Sequence, residues 1–517
     1  MTGIGAKSGA FAAGAQTPGR IAARAIRSMR RPTELAGLGG LLVLYGFVYV
    51  LGVAELYPAM NIAGPVVLCT ILGWSAYRIV ERNPIAVWAP LFWFRVACAV
   101  YFGFGALVPH IVNEETLQRI YALHYFDDAL NLKVNLVYCL GIFCTLVFSF
   151  LFLGLNRGGA QRAGAGDAQP GIDRTLFFAL VFLLVGGGLR YGVTIPHGFG
   201  LTSYTLPGAI STLGNMYYVG IYLLIFHALG SNRRVLLIAI ALVVIEILVS
   251  VASFAKMNLM LILIFSFLGF ISRDVTRGKV LAGAAFVLFS YFAFQPLVEY
   301  GRTETALRYG AISGAGLIER MDIVQGYFGS GNSRAAASSQ DGLIRLSYVS
   351  VAAFAIDRYD AGVKLDTLGN AAAVLVPRLL WPGKPIITRL GSDFHFMVFR
   401  QVGSALGIGH FAEAYGNFGW IGIAPFMAVL ALILSVFSRV SVAIVARKDW
   451  LFLPVVFLGV NMGFRVDGHF VPDILGTAWM AAVFGAGLWV ARHLVLSSAR
   501  RRTAPRRHLM TTGSRRA

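Results

Sequence analysis

The amino-acid sequence predicts an all-α polytopic membrane protein with about twelve transmembrane helices and one large extracytoplasmic loop. Of its 517 residues, 57% are hydrophobic and only 13% are charged, and the mean hydropathy is +0.70. A soluble domain carries about a quarter charged residues. The apolar residues also fall in long blocks, which is the pattern that a lipid bilayer requires.

The individual helices are predicted from windows of apolar residues, because a spanning helix needs about 20 of them. Twelve windows meet this requirement, at approximately 36–54, 61–79, 87–108, 133–155, 174–192, 210–229, 234–252, 257–272, 280–297, 418–437, 451–464 and 474–491. The eighth and eleventh windows are short, so we expect these helices to tilt little or to include flanking residues.

The charges between the windows predict the orientation, since cytoplasmic loops are rich in Lys and Arg. With the N-terminus in the cytoplasm, the inner connectors hold the basic residues Arg78, Arg82, Arg157, Arg162, Arg174, Arg233, Arg234, Arg273, Arg277, Lys279, Arg439, Arg447 and Lys448. The short outer connectors hold the acids Glu55, Glu114, Glu115, Asp127, Asp128, Asp467 and Asp473. Both termini are therefore predicted to be cytoplasmic.

These assignments divide the chain into five segments. They are a disordered basic cytoplasmic arm (1–34), transmembrane helices 1–9 (35–297), the large extracytoplasmic loop (298–417), transmembrane helices 10–12 (418–491) and a basic cytoplasmic tail (492–517). Within the loop, the apolar stretches 346–356 and 368–381 are too short to span a membrane. They are typical of amphipathic or buried helices on the outer membrane surface.

Composition also excludes several classes of function. The net charge is +20, but the basic residues crowd the termini and short loops, which indicates membrane topology and anionic lipid headgroups rather than nucleic acid. The four cysteines lie in apolar runs and imply no disulfide framework (Cys69, Cys98, Cys139 and Cys144). The nine histidines show no metal-ligand spacing, so we expect neither a metal nor a cofactor.

The most informative segment is GIGHFAEAYGNFGWIGIAPF (407–426), where the large loop returns to the membrane. In a helix, His410, Glu413 and Asn417 lie at i, i+3 and i+7 on one face. Ionisable groups at membrane depth usually face a cavity and mark function, and a partly buried Glu or His can accept a proton from a hydroxyl. The structural alternative is an interfacial helix cap with glycines for close packing.

Upstream lies VPRLLWPGKP (376–385), in which prolines around Trp381 and Gly383 predict a rigid turn. The turn presents Arg378 and Lys384 as cations that can hold a phosphate and Trp381 as a flat face for a sugar ring. The alternative is a Trp anchored among lipid headgroups beside a snorkelling Lys.

Two further polar features lie at the outer membrane edge. Arg190 in GGGLRYG (186–192) is costly there unless it pairs with an anion or a carboxylate, and the glycine run predicts close helix packing. Arg465, Asp467 and His469 in FRVDGH form either structural ion pairs or a catalytic group. The acids of the 114–128 connector could hold a metal-bound diphosphate, but a solvated acidic loop explains them better.

The turn and the helix together resemble the C-terminal part of bacterial oligosaccharide repeat unit polymerases, the Wzy-type O-antigen and exopolysaccharide polymerases. The resemblance depends on PR-x-x-WP-x-KP followed by E-x-Y-x-NFG-x-x-G, which together cover about 50 residues. The plan of some twelve spans with one large, late external loop is also similar. O-antigen ligases share this layout and remain an alternative, as does a lipid-linked oligosaccharide flippase or other transporter.

The resemblance implies a C-type glycosyltransferase-like protein of the bacterial inner membrane that joins undecaprenyl-diphosphate-linked oligosaccharides without nucleotide sugar or metal. Its expected partners are that lipid-linked substrate and membrane lipids, and a chain-length regulator protein is a further candidate. On this hypothesis, Glu413 is the first candidate base and His410 the second. The diphosphate would be bound by Arg190, Arg378, Arg465 and Lys384, and the sugar would be positioned by Trp381, Tyr415 and Asn417.

Overall fold

The computed structural model is entirely helical: no β-strand occurs among the residues that it describes. These residues are 17–155, 175–202, 208–231, 233–272, 276–309, 315–329, 342–369, 371–376, 381, 383–384, 390–399 and 406–503. An all-α membrane protein was the sequence-based expectation, and this part of the chain confirms it.

The first half of the chain forms helices that the sequence windows largely anticipate. Their bounds are α1 Pro18–Ser28, α2 Pro32–Leu51, α3 Tyr57–Arg82, α4 Pro90–Cys98, α5 Gly105–Ile111, α6 Glu114–Tyr121, α7 Asp128–Leu155, α8 Thr175–Leu189, α9 Ile195–Gly198, α10 Gly208–Gly214, α11 Met216–Ser231 and α12 Arg233–Ala252. The π-helical segments Ala99–Phe104 and Arg190–Thr194 join α4 to α5 and α8 to α9.

The second half continues with α13 Lys256–Ile271, α14 Arg277–Tyr309, α15 Leu317–Gly329, α16 Val349–Asp360, α17 Leu390–Phe399, α18 His410–Ala446, α19 Leu453–Phe464 and α20 Thr477–Thr503. A third π-helical segment, Phe470–Gly476, leads into α20. Insertions of this kind within helices are frequent at functional sites.

Among the described residues, ten helical stretches are long and apolar enough to cross a membrane: Pro18–Leu51, Ala54–Arg82, Pro90–Ile111, Asp128–Leu155, Thr175–Gly198, Ile210–Gly230, Arg233–Ala252, Gly278–Tyr309, His410–Ala446 and Phe470–Leu494. Two shorter apolar helices, Met257–Ile271 and Trp450–Phe464, coincide with the eighth and eleventh sequence windows. The protein is thus a multi-pass membrane protein.

Several predicted boundaries differ from the structure. Residues 18–28 of the predicted disordered arm form a helix, because Ala22, Ala25 and Met29 share one face that is buried against α18. The large loop is shorter than predicted, since α14 continues to Tyr309 and α18 begins at His410 rather than after residue 417. The last helix runs past residue 491 to Thr503, so part of the predicted tail is helical.

The described part of the large loop is attached to the membrane helices by arginines. Arg320 of α15 donates to the carbonyls of Ser253 (3.2 Å) and Gly198 (3.1 Å), which follow α12 and end α9. Arg302 donates to the carbonyl of Phe254 (3.0 Å). A cation at the carbonyl end of a helix interacts favourably with the helix dipole. The apolar stretch 346–356 lies mostly in α16, a largely buried helix, as the sequence predicted.

The predicted close packing at the glycine run is confirmed at Gly186. A Cβ on this residue would lie 2.2 Å from the backbone nitrogen of Tyr217 in α11. Only glycine therefore allows α8 and α11 to approach so closely.

Candidate functional site

Two segments at the ends of membrane helices are joined by backbone hydrogen bonds. The N–H of Gly409 donates to the carbonyl of Asp467 (3.0 Å), and that of His410 donates to the carbonyl of Val466 (3.2 Å). Gly409 has φ +79°, a conformation that L-residues with a Cβ rarely adopt. This junction fixes the first turn of α18 against the connector between α19 and α20.

Glu413 lies inside this junction and is fully buried. Its Oε2 accepts a hydrogen bond from the backbone N–H of Phe470 (2.7 Å), the first residue of the π-helical segment. Its Oε1 has no hydrogen bond of good geometry among the described residues, and the Thr367 hydroxyl is a polar neighbour that interacts with the carboxylate. A buried carboxylate normally has several hydrogen-bond partners, so this oxygen has capacity for a further hydrogen bond.

Two histidines lie beside the carboxylate. His410 is fully buried, and its ring lies near the backbone of Arg465 without a hydrogen bond of good geometry among the described residues. His469 bonds through Nε2 to the carbonyl of Leu406 (2.9 Å), while its Nδ1 is buried without such a partner. Three side chains at one junction therefore have capacity for a further hydrogen bond of good geometry.

Arg465 supplies the positive charge of the junction. Its Nη2 lies 2.7 Å from Oδ1 of Asp473, and 34% of its side chain remains exposed. Asp473 Oδ2 accepts from the N–H of His469 (2.9 Å), which connects the ion pair to the histidine. Burial lowers the pKa of Arg465, but the Asp473 and Asp467 carboxylates raise it, and its net pKa lies above the ordinary value. The guanidinium therefore stays cationic. We call His410, Glu413, Arg465, His469 and Asp473 the Glu413 cluster.

A cavity of about 120 Å³ adjoins the Glu413 cluster through Arg465. It lies between α11, α13 and α19, and its lining is mostly apolar, with Met216, Leu261 and Phe457 among the side chains. The polar lining residues besides Arg465 include Asn215 and Asn461. An apolar space with a cation at one end suits an amphipathic anion.

Arg190 belongs to a different group of residues. Its Nε donates to both carboxylate oxygens of Glu246 in α12, each at 3.0 Å. The same carboxylate accepts from the hydroxyls of Tyr191 (2.7 Å), Tyr218 (3.2 Å) and Ser250 (3.2 Å). Arg190 is 2% exposed and Glu246 is fully buried. We call these five residues the Glu246 cluster. The guanidinium is engaged within the protein, and its role in diphosphate binding remains a prediction.

The predicted turn at Trp381 is present, since the N–H of Lys384 donates to the carbonyl of Trp381 (3.1 Å). Trp381 is 43% exposed, as a sugar-stacking side chain requires. Lys384 Nζ donates to the carbonyl of Val376 (2.8 Å), so its charge is partly used inside the turn. Arg378 lies outside the described residues.

Asn417 and Tyr415 also lie on α18, and their side chains are hydrogen-bonded within the protein. Asn417 accepts from the N–H of Thr367 (3.1 Å) and donates to the Thr367 hydroxyl and the Glu413 carbonyl, both at 2.8 Å. These bonds hold a loop segment on the helix and leave the amide little capacity for sugar. Tyr415 donates its hydroxyl to Asp360 Oδ1 (2.8 Å).

Sequence reasoning missed several buried partners. It did not single out Glu246, or the buried pair in which Arg95 Nε donates to Glu34 Oε1 (2.9 Å). The available signal was a lone acid or arginine inside an apolar helical window, which is expensive in a membrane unless paired. Comparisons with protein-family models, curated proteins and solved structures gave no match to the chain.

Proposed function

We propose that this protein is a glycosyltransferase that polymerises oligosaccharide repeat units carried on a polyprenyl diphosphate such as undecaprenyl diphosphate. On this proposal it crosses the bacterial inner membrane twelve times, with both termini in the cytoplasm. The Glu413 cluster then lies at the outer face, because the connector 465–473 carries acids rather than a basic excess.

One observation carries the proposal: a fully buried carboxylate, with one oxygen that lacks a hydrogen bond of good geometry among the described residues, lies at the same junction as a cation that lines an apolar cavity. The reaction needs these two groups together. A base must take the proton of the acceptor hydroxyl, and a cation must oppose the charge that grows on the leaving diphosphate.

The chemical step follows from this placement. The acceptor hydroxyl oxygen forms a bond to the anomeric carbon of the donor sugar while the bond from that carbon to the diphosphate oxygen breaks. The proton passes to Glu413 Oε1, and the electron pair of the broken bond remains on the lipid diphosphate. His410 and His469 flank the carboxylate, and His410 is the second candidate base.

Arg465 is the best-supported diphosphate ligand. Its exposed fraction of 34% leaves room for a phosphate beside Asp473, and a guanidinium matches phosphate geometry through paired N–H groups. A lipid chain between α11, α13 and α19 would bring its headgroup to this residue. Arg378 and Lys384 are further candidates from the resemblance, with Trp381 as a sugar-facing ring.

The direct test is to size the undecaprenyl-linked glycans that a deletion strain accumulates. We expect single repeat units to accumulate and long polymer to disappear, and the wild-type gene to restore the polymer. Accumulation of long lipid-linked polymer would instead assign the later ligase reaction. An unchanged profile would contradict transfer altogether and leave transport of the lipid-linked saccharide as the reaction to test.

A further inference from the structure

Four aromatic rings from three separate elements meet beside the kink of α18. The ring centroids of Tyr49 and Trp420 are 6.1 Å apart, those of Trp420 and Tyr415 are 5.1 Å apart, and those of Tyr415 and Tyr359 are 5.4 Å apart. Tyr415 is buried beneath the others, whereas Tyr49, Tyr359 and Trp420 are half-buried. The group therefore presents partly open ring surfaces on a buried support.

An ion pair lies at the edge of these rings. Lys133 Nζ pairs with Asp360 Oδ2 and lies 5.1 Å from the ring centroid of Tyr415 and 5.9 Å from that of Trp420. The Asp360 side chain is 39% exposed and that of Lys133 is 13% exposed. A carboxylate has about four acceptor positions, so Asp360 can still accept hydrogen bonds from a ligand.

The backbone of α18 is bent so that this group can form. Gly419 has φ +64° and ψ −157° within the helix. A Cβ there would lie 2.7 Å from Cε1 of Tyr359. Glycine is therefore required both by the backbone conformation and by the packing of the Tyr359 ring, and the kink directs Trp420 toward Tyr49.

We propose that Tyr49, Lys133, Tyr359, Asp360, Tyr415 and Trp420 form a saccharide-binding platform. The C–H face of a sugar ring carries partial positive charge and packs on the negative face of an aromatic ring. The carboxylate and the ammonium at the edge accept from and donate to the sugar hydroxyls. The platform rests on the proposed function, since it is assigned to the lipid-linked glycan.

The platform holds a sugar other than the reacting one. Tyr415 is two positions after Glu413, which corresponds to about 200° around a helix. They therefore lie on opposite sides of a helix about 10 Å thick. Simple headgroup anchoring fits less well, because Trp74 and Trp489 on other membrane helices are 59% and 57% exposed, whereas the Trp420 ring is half-buried beside an ion pair.

The test measures binding of two lipids to purified full-length protein that carries Glu413→Gln to prevent turnover. One probe is the lipid-linked oligosaccharide extracted from the deletion strain, and the other is undecaprenyl diphosphate without sugar. We expect Trp420→Ala to weaken binding of the oligosaccharide lipid about tenfold and that of the sugar-free lipid less than about twofold. Tyr49→Leu should act in the same direction if Trp420→Ala protein does not fold. Trp479→Ala, which removes an exposed Trp near the outer end of α20, is the matched control and should change neither affinity.

Three other outcomes of this binding experiment would contradict the proposed platform. Equal weakening of both lipids would show a structural or lipid-anchoring role, and unchanged affinities in both platform variants would exclude a contact with sugar. Both results leave the proposed transferase function standing. If the protein with an intact platform binds neither lipid, this result contradicts both the proposed function and the platform.

Discussion

The Glu246 cluster and the Glu413 cluster are both buried polar groups in an apolar helical protein, but their hydrogen bonds are used differently. Glu246 accepts from one arginine, two tyrosines and a serine. Glu413 accepts one hydrogen bond of good geometry, from a backbone N–H, and its second oxygen has none among the described residues. A satisfied buried pair holds helices together, whereas an unsatisfied one costs stability and needs another explanation. On the proposed function, the first cluster is structural and the second takes part in the chemistry.

The buried pair of Arg95 and Glu34 supports the same distinction. Arg95 Nη2 lies 3.0 Å from Glu34 Oε2, and the remaining donors bond to the carbonyls of Leu91 (2.8 Å) and Met29 (2.9 Å). The pair joins α4 to α2 with its donors satisfied. Two buried ion pairs, at Glu246 and at Glu34, are thus each held by several hydrogen bonds, whereas Glu413 has one of good geometry among the described residues.

The substitution Glu413→Gln tests most directly whether the Glu413 cluster carries out chemistry. Gln can still accept from the Phe470 N–H through its amide oxygen but cannot take a proton from a hydroxyl. We expect polymerisation to fall by about 100- to 10,000-fold with an unchanged amount of folded protein. Glycan sizing from reconstituted vesicles measures the effect, and Glu55→Gln, at an exposed acid in another outer connector, is the control. Full activity of Glu413→Gln would remove Glu413 from the role of base.

Glu246→Leu tests the structural side of the comparison. The change leaves Arg190 buried and unpaired, which we expect to destabilise the protein by about 3–5 kcal/mol. The amount of folded protein in membranes and its thermal unfolding in detergent report this loss. Unchanged stability would contradict the assignment of structure to the Glu246 cluster.

The double variant Arg190→Met with Glu246→Leu sharpens the same test. Replacing both charges with apolar side chains removes the unpaired cation, so we expect stability and activity to recover together. Recovery of stability without activity would instead support the sequence-based prediction that Arg190 binds diphosphate.

Asn417→Leu is expected to have a smaller effect, on stability more than on chemistry. It leaves the Thr367 N–H buried without its acceptor, at a cost of about 1–3 kcal/mol. Thermal unfolding and the KM for the lipid-linked substrate separate the two roles. A normal melting temperature with a strongly raised KM would support the prediction that Asn417 positions the sugar.

Lys384→Met is expected to have the smallest effect. Its ammonium already donates to the Val376 carbonyl inside the turn, and substitutions away from buried networks usually change stability by no more than about 0.5 kcal/mol. We expect activity to fall by less than about tenfold, measured beside Lys364→Met as an exposed lysine control. A larger loss would place Lys384 with Arg465 at the diphosphate.

Much of the candidate site could be predicted because it is local in sequence. His410, Glu413 and Asn417 occur on one helix, as their spacing predicted, and the turn at Trp381 follows from its prolines and Gly383. The hydrogen-bond partners of these side chains could not be predicted from the sequence. The amide of Asn417 bonds to Thr367, which lies 50 residues away in the sequence. Which oxygen of Glu413 is hydrogen-bonded is known only once the contact between Glu413 and Phe470 has been located.

The sequence by itself determined that the chain is helical and spans the membrane repeatedly, because bilayer thickness requires long apolar runs and an internally bonded backbone. Only the tertiary structure decided which buried charges are paired. Arg190 meets Glu246 across 56 residues, and Phe470 meets Glu413 across 57. Membrane helices are apolar on nearly all sides, so their sequence periodicity does not identify the neighbour of each face. The packing of helices determines the partner of each buried charge and leaves Glu413 Oε1 without a hydrogen bond of good geometry among the described residues.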